Sequence, residues 1–231
     1  MRATFATVLV LAAAPLAAQD GAFVVRLGDD TLLVEQYRLS GNTLTGDQVF
    51  RAARVTTVRH FTATLDRRGG VVRYELAGRP AATPDARPQT LRVSFDADTA
   101  VIELVIGDSS RSQRLVIPGG AIPFVNQSYA LLELVTRQAR RMGRGPYVAQ
   151  LLPLASLAPV AATVTGGAGD SLAVAIGADP PLRVRVDAAG NILAVSGRGR
   201  TGPFTAERVA ALDITAVARH FADRPLTERQ P

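Results

Sequence analysis

Along most of the chain, apolar and polar residues alternate with a period of two, in short stretches that end at Gly, Asp, Asn, Ser or Pro. Successive side chains of a strand point to opposite faces, so this rhythm predicts half-buried β-strands joined by tight turns. Strands are expected at Ala22 to Leu27, Thr31 to Leu39, Thr43 to Phe50, Val55 to Asp66, Val71 to Ala77, Leu91 to Asp96, Ala100 to Ile106 and Arg114 to Ile117. Between them stand turn formers such as Gly41-Asn42, Arg68-Gly69-Gly70 and Gly107-Asp108-Ser109. Gly and Asn accept positive φ, and Asp and Ser bond back to the backbone, so each connection can be a hairpin and the pairing antiparallel. The stretch Gly78 to Gln89, with Pro80, Pro84 and Pro88, reads as a loop because proline cannot donate to a ladder.

After Pro118-Gly119-Gly120 the period changes. Val125, Tyr129, Leu132, Val135, Ala139 and Met142 fall on one helical stripe, widened by Leu131 and Leu134. This predicts a helix over 126–142 with Asn126 as N-cap and Glu133 and Arg137 as an i,i+4 pair. Arg140, Arg141 and Arg144 complement the negative end of its dipole, and Gly143 and Gly145 stop it. The period of two then resumes at Tyr147 to Leu154, Val160 to Thr165, Ser171 to Ile176, Leu182 to Asp187 and Asn191 to Ser196, and Phe204 to Leu212 reads as a last strand or a helix start, with strand the preferred reading. Ile214, Val217, Ala218 and Phe221 give a short C-terminal helix over 213–222, with Asp213 as cap and Pro225 beyond. The expected fold is mainly β: a strongly curved antiparallel sheet, an open half-barrel, packed on the mid-chain amphipathic helix. The organisation is a single β-rich domain over 19–231, with one meander at 22–117 and a second at 147–212.

The first residues stand apart. Arg2, the apolar run Ala3 to Leu16 and the small pair Ala17-Ala18 read as a signal peptide over 1–18, which places the mature chain in the periplasm or outside the cell. The run is shorter than the ~20 residues that span a bilayer, so no membrane span is expected. Gln19 stands where a lipoprotein carries its lipidated cysteine, and the chain has no Cys. An unanchored protein without disulfides follows.

With 47% hydrophobic and 20% charged residues, the chain is folded rather than a charged tail. Its net charge of +6 comes from arginine alone, spread along the sequence without an aromatic-lined basic stripe, and no nucleic-acid partner is expected. The absence of Lys removes a Walker lysine, a Schiff base and a Ser-Lys dyad, and the absence of Cys removes a thiol nucleophile and a thiolate zinc site. Gly197-Arg198-Gly199-Arg200-Thr201-Gly202 fits a dinucleotide-binding spacing, but Pro203 follows and no second strand ending in an acid remains, so a hairpin loop is the better reading. His60 belongs to a strand face shared with Thr62 and Thr64, and His220 to the last helix. Neither has a carboxylate or serine at local spacing, so no catalytic residue, no metal ligand and no cofactor is assigned. Most Asp residues sit at strand ends, where turn-making accounts for them. Glu103 differs, lying between Val101 and Val105 in a nearly continuous apolar strand. It is either paired with an arginine on an exposed face, for which Arg183 and Arg185 are candidates, or a polar group inside the concavity.

The order of signal peptide, β meander, helix, β meander and short C-terminal helix resembles the open half-barrel of periplasmic lipoprotein-carrier and related lipid-carrier proteins. That resemblance implies a concave face holding acyl chains beneath helical lids, and it transfers no site residue. The stretches Gly21-Ala22-Phe23-Val24-Val25-Arg26, Ala121-Ile122-Pro123-Phe124 and Leu212-Asp213-Ile214 resemble an uncharacterised domain of secreted bacterial proteins. Two readings follow. In the first the protein is non-enzymatic and binds an apolar small molecule or lipid in its concavity, with Tyr129, Leu132, Val135 and Glu103 as lining and Arg140 and Arg141 for an anionic headgroup. In the second it is an accessory module with a packed interior whose partner is another envelope protein. A hydrolase built on His60 or His220 stands third.

Overall fold

The structure is a computed structural model that describes residues 19–51, 55–125, 128–143, 145–166, 169–199 and 202–222. The expected signal peptide, the expected cap Asn126 and Arg144 lie outside the described residues. A first run of eight strands comprises β1 (Gln19–Leu27), β2 (Asp30–Ser40), β3 (Thr43–Arg51), β4 (Thr56–Leu65), β5 (Val71–Pro80), β6 (Gln89–Asp96), β7 (Thr99–Ile106) and β8 (Ser109–Val116). The short β9 (Ile122–Phe124) leads into helix α1 (Tyr129–Met142). A second run follows with β10 (Tyr147–Pro153), β11 (Val160–Gly166), β12 (Ser171–Ile176), β13 (Leu182–Val186), β14 (Ile192–Gly199) and β15 (Gly202–Val209), and helix α2 (Ile214–Ala222) closes the described chain.

All fifteen strands form one sheet in the order β8-β7-β6-β5-β4-β3-β2-β1-β15-β14-β13-β12-β11-β10-β9. Each run is a meander, and the two are welded where β1 meets β15, from Ala22↔Val209 to Leu27↔Phe204. Every pair is antiparallel except β9 with β10, which is parallel. The sheet curls. The edge strand β9 touches β5, from the other meander, and α1 contacts β2 as well as β9, β10, β11 and β14. The sheet stops short of closing, with β8 and β9 as its two edges.

Registers show which face is which. The row Ala63–Tyr74–Val93–Ile102 crosses β4 to β7, and all four residues are buried on the concave side. The row Val24–Val34–Val49–Val58 crosses β1 to β4 on the convex side, where Phe221, Val217 and Ile214 of α2 help cover it. On the same outer face, further along the sheet, Glu75, Arg92 and Glu103 are direct neighbours and pair, with Arg92 Nε 3.0 Å from Glu75 and Nη1 3.4 Å from Glu103.

Several boundaries differ from the sequence reading. Gly78, Arg79 and Pro80 belong to β5, with Gly78 opposite Gln89 and Pro80 opposite Thr57 at the end of the strand, where a missing donor costs little. The strand expected from Arg114 begins at Ser109, because its residues from Ser109 to Arg114 are exposed on both faces of an edge and show no apolar alternation. β9 is three residues long, contains Pro123 and pairs parallel, so it carries no period-two signal. α1 begins at Tyr129, capped by Ser128, whose side chain accepts from the Leu131 N–H. β15 ends at Val209, and Asp213 caps α2 by accepting from the Ala216 N–H at 2.9 Å.

Candidate functional site

α1 lies in the concavity of the sheet as a plug. Tyr129, Leu132 and Val135 are buried, at 3%, 2% and 0% exposure, and Tyr129 packs on Phe23 with ring centroids 5.4 Å apart. Three of the residues expected to line a ligand site thus touch the sheet itself, since an apolar helix face finds its partner within the fold.

Two buried carboxylates fix the plug. Glu35 of β2, with no exposed surface, faces the first turn of α1 and accepts hydrogen bonds from Ser128 Oγ (2.8 Å), the N–H of Tyr129 (2.7 Å) and the N–H of Ala130 (3.0 Å). Gln48 Nε2 of β3 donates a fourth, at 2.9 Å. The first N–H groups of a helix lack intrahelical acceptors and carry partial positive charge, so an anion there meets both needs at once. Burial pushes the Glu35 carboxyl up from its ordinary range, against the downward pull of those donors. Burial, and then the nearby Glu35 charge, raise the phenols of Tyr74 and Tyr129.

Glu133 forms the second anchor, on the helix itself and at 1% exposure. Tyr37 Oη and Arg137 Nη2 each donate to it at 2.5 Å, the Ile192 N–H at 2.8 Å, and Arg208 Nη2 completes the set. Arg208 also donates to Tyr37 Oη (2.7 Å) and to the Ile192 carbonyl (2.6 Å), and its guanidinium lies over the Phe23 ring. β2, β14, β15 and α1 thus meet at one carboxylate. Gly21 makes room for it, since a Cβ there would stand 2.5 Å from both Arg208 and Tyr37. Gly190 does the same at the β13–β14 turn, where φ is +88° and a Cβ would lie 2.8 Å from the backbone of α1. Both carboxylates are filled with donors from the fold and are committed to holding α1.

A cleft lies at one end of the seam, where the chain crosses from β8 to β9. Near the last turns of α1 a cavity of about 460 Å³ is walled by Val71 and Val72 of β5, Phe95 of β6, the 118–122 segment and Tyr147 to Gln150 of β10. Gln138 of α1 forms its floor, bonded to the Gly69 carbonyl at 2.8 Å and to Tyr147 Oη. Val72 and Val148, two of the exposed large apolar residues, both border this cleft.

The remaining candidates are scattered. Glu103 sits on the convex face, paired with Arg92 and accepting from Ser110 Oγ at 3.0 Å. Strand alternation thus takes it out of the concavity and gives it a neighbour other than Arg183 or Arg185. Arg140 donates to the Gly169 carbonyl at 3.1 Å, and Arg141 is exposed beside Gly69. His60 is exposed and bonded to Asp47 at 2.8 Å, in a convex-face cleft of about 210 Å³. His60 faces Asp47 across β3–β4, a pairing that register reveals and local spacing does not. Of the glycine-rich segment, Gly197 to Gly199 end β14 and Gly202 opens β15, with Gly199 opposite Gly202. Among the described residues no group of three or more His, Asp or Glu is placed to hold a metal ion.

The sequence reading missed Glu35, Gln48 and Arg208. A signal for Glu35 was present: it shares a strand face with Leu33 and Tyr37, so the logic that singled out Glu103 applied equally to it.

No family model matches the sequence, and no curated protein matches it. Solved structures share the architecture. The chain is similar to a DUF1089 family protein from Pseudomonas aeruginosa, 14% identical, over 83% of this chain and 95% of that one at a TM-score of 0.50. It is also similar to a beta-barrel-like protein of the domain of unknown function DUF1849 from Brucella abortus, 12% identical, over 83% and 94% at a TM-score of 0.52. At these identities the likeness shows the fold alone, a β-barrel-like domain of uncharacterised type.

Proposed function

We propose that the chain is an exported, non-enzymatic protein that takes an apolar or lipid-like ligand into the concavity of its sheet through the gap between the two sheet edges. The observation that carries this reading is the seam cleft. Its volume of about 460 Å³ falls within the ~300–1,000 Å³ of small-molecule sites. It is also where the fold leaves Val72 and Val148 in water, although apolar side chains gain by burial. α1 would then act as the inner wall. The half-barrel resemblance points the same way, and the residues Met1 to Ala18 supply the address.

The test is native mass spectrometry with lipid extraction on protein recovered from the periplasm or medium of its own cells. A co-purifying lipid-like ligand, lost on Val148→Asp while the unfolding free energy stays within ~0.5 kcal/mol of the wild type, is the expected result. Intact mass beginning after Ala18 is expected in the same measurement. A ligand-free protein with the variant unchanged favours the second reading, an accessory module, which the dense packing of α1 supports.

A further inference from the structure

Building on the proposed ligand reading, we infer that the ligand is an anionic amphiphile, its chain in the seam cleft and its carboxylate or phosphate head held by an arginine collar of Arg67, Arg68 and Arg141, with Arg140 alongside. The collar comes from two elements. Arg67 and Arg68 belong to the β4–β5 turn, and Arg140 and Arg141 to the last turn of α1. The fold brings them together: Gln138 bonds the Gly69 carbonyl at 2.8 Å, and a Cβ on Gly69 would lie 3.3 Å from Arg141 Nη1. Asp66 and Gly70, on either side of Arg67 and Arg68 in that turn, line the cleft, and so does Gln138, one turn before Arg141 on α1.

The helix dipole accounts for Arg140 and Arg141 but not for Arg67 and Arg68, which the sheet supplies separately. Among the described residues, none of Arg67, Arg68 and Arg141 makes an ion pair, whereas Arg26, Arg38, Arg87, Arg92, Arg137 and Arg208 all do. The acid nearest in sequence, Asp66, is occupied by its own turn: its Oδ1 accepts from the N–H groups of Arg68 and Gly70, each at 2.8 Å. Arg140 gives Nη2 to the Gly169 carbonyl, and its buried Nε has no hydrogen-bond partner. Guanidinium groups beside a cleft whose lining carries Val71, Val72 and Phe95, and whose one acid, Asp66, is tied into its own turn, match a ligand with one charged end, since planar donor pairs bind carboxylate and phosphate oxygens.

The experiment compares three probes of one chain length, hexadecanoate, hexadecyl phosphate and hexadecanol, by native mass spectrometry and equilibrium dialysis on the wild type and on the double variant Arg68→Gln/Arg141→Gln. The expected result is that both anions, or one of them, bind the wild type about tenfold more tightly than the alcohol, a factor that one or two charge-assisted hydrogen bonds supply. In the double variant the anions should fall to the level of the alcohol, whose own binding stays unchanged and shows that the cleft is intact. The anion that keeps the preference identifies the head as carboxylate or phosphate. Equal binding of all three probes by the wild type, or an anion preference that survives in the double variant, overturns the collar while leaving an apolar site in place. Binding of none overturns both readings.

Discussion

Glu35 illustrates how much one residue can organise when its side chain replaces solvent for four donors at once. In Glu35→Gln the carboxamide has one oxygen to accept with and turns an NH2 toward groups that themselves donate. That substitution should destabilise the protein by ~1–3 kcal/mol, read as a lower denaturant midpoint at unchanged slope. Asp187 gives a prediction about pH. Burial pushes its carboxyl upward, but hydrogen bonds from the Asn191 backbone and side chain and from the Ala189 N–H outweigh that, and the net shift is downward from 3.8. A carboxyl lowered on folding favours the ionised form in the native state. Its contribution is therefore full above its unfolded value and is lost as pH falls through the folded one. Wild-type melting temperature should drop more steeply below pH ~4 than that of Asp187→Asn. Parallel acid limbs would show that the turn is indifferent to this charge.

At the scale of elements, α1 is where packing and polarity combine. Leu132→Asp would set an unpaired charge against the interior of the sheet, and a loss of ~3–5 kcal/mol in chemical unfolding is the expected outcome. An unchanged transition would mean that this face is free of the sheet. Elements of this kind were legible in the sequence because their burial is one-sided: period two in most strands, and a broad apolar stripe in α1. Those it concealed have no such asymmetry. β8, with Ser109, Ser110, Ser112 and Gln113, is exposed on both sides as far as Arg114, so neither face carries a pattern there. β9 is specified by its neighbour β10 rather than by its own three residues. The site was less legible than the fold. Glu35 and Tyr37 of β2, Glu133 of α1 and Arg208 of β15 come from three distant parts of the chain, and only the folded sheet with its helix brings those parts together.

The whole molecule depends on a single weld. The first meander and the second each need only neighbouring hairpins, but β1 and β15 are paired across nearly the full described length of the chain. The network around Glu133 sits beside that weld, drawing on Tyr37 from β2, Ile192 from β14 and Arg208 from β15. A chain ending at Gly199 would lack β15 and Arg208 together. It should show strand content by circular dichroism but no cooperative unfolding transition, whereas a cooperative melt near that of the full chain would demote the weld to one pair among many.

The same weld sets a timetable for the newborn polypeptide. As the chain leaves the ribosome, β2 to β8 can zip up hairpin by hairpin at little cost in loop closure. The free edge of β1 must wait until β15, the last of the described strands, has been synthesised. Throughout that wait the emerging half-sheet exposes both an unsatisfied strand edge and an uncovered apolar hollow. Those are the two features that invite aggregation, so chaperone attendance should be needed most over the interval between the release of β1 and that of β15.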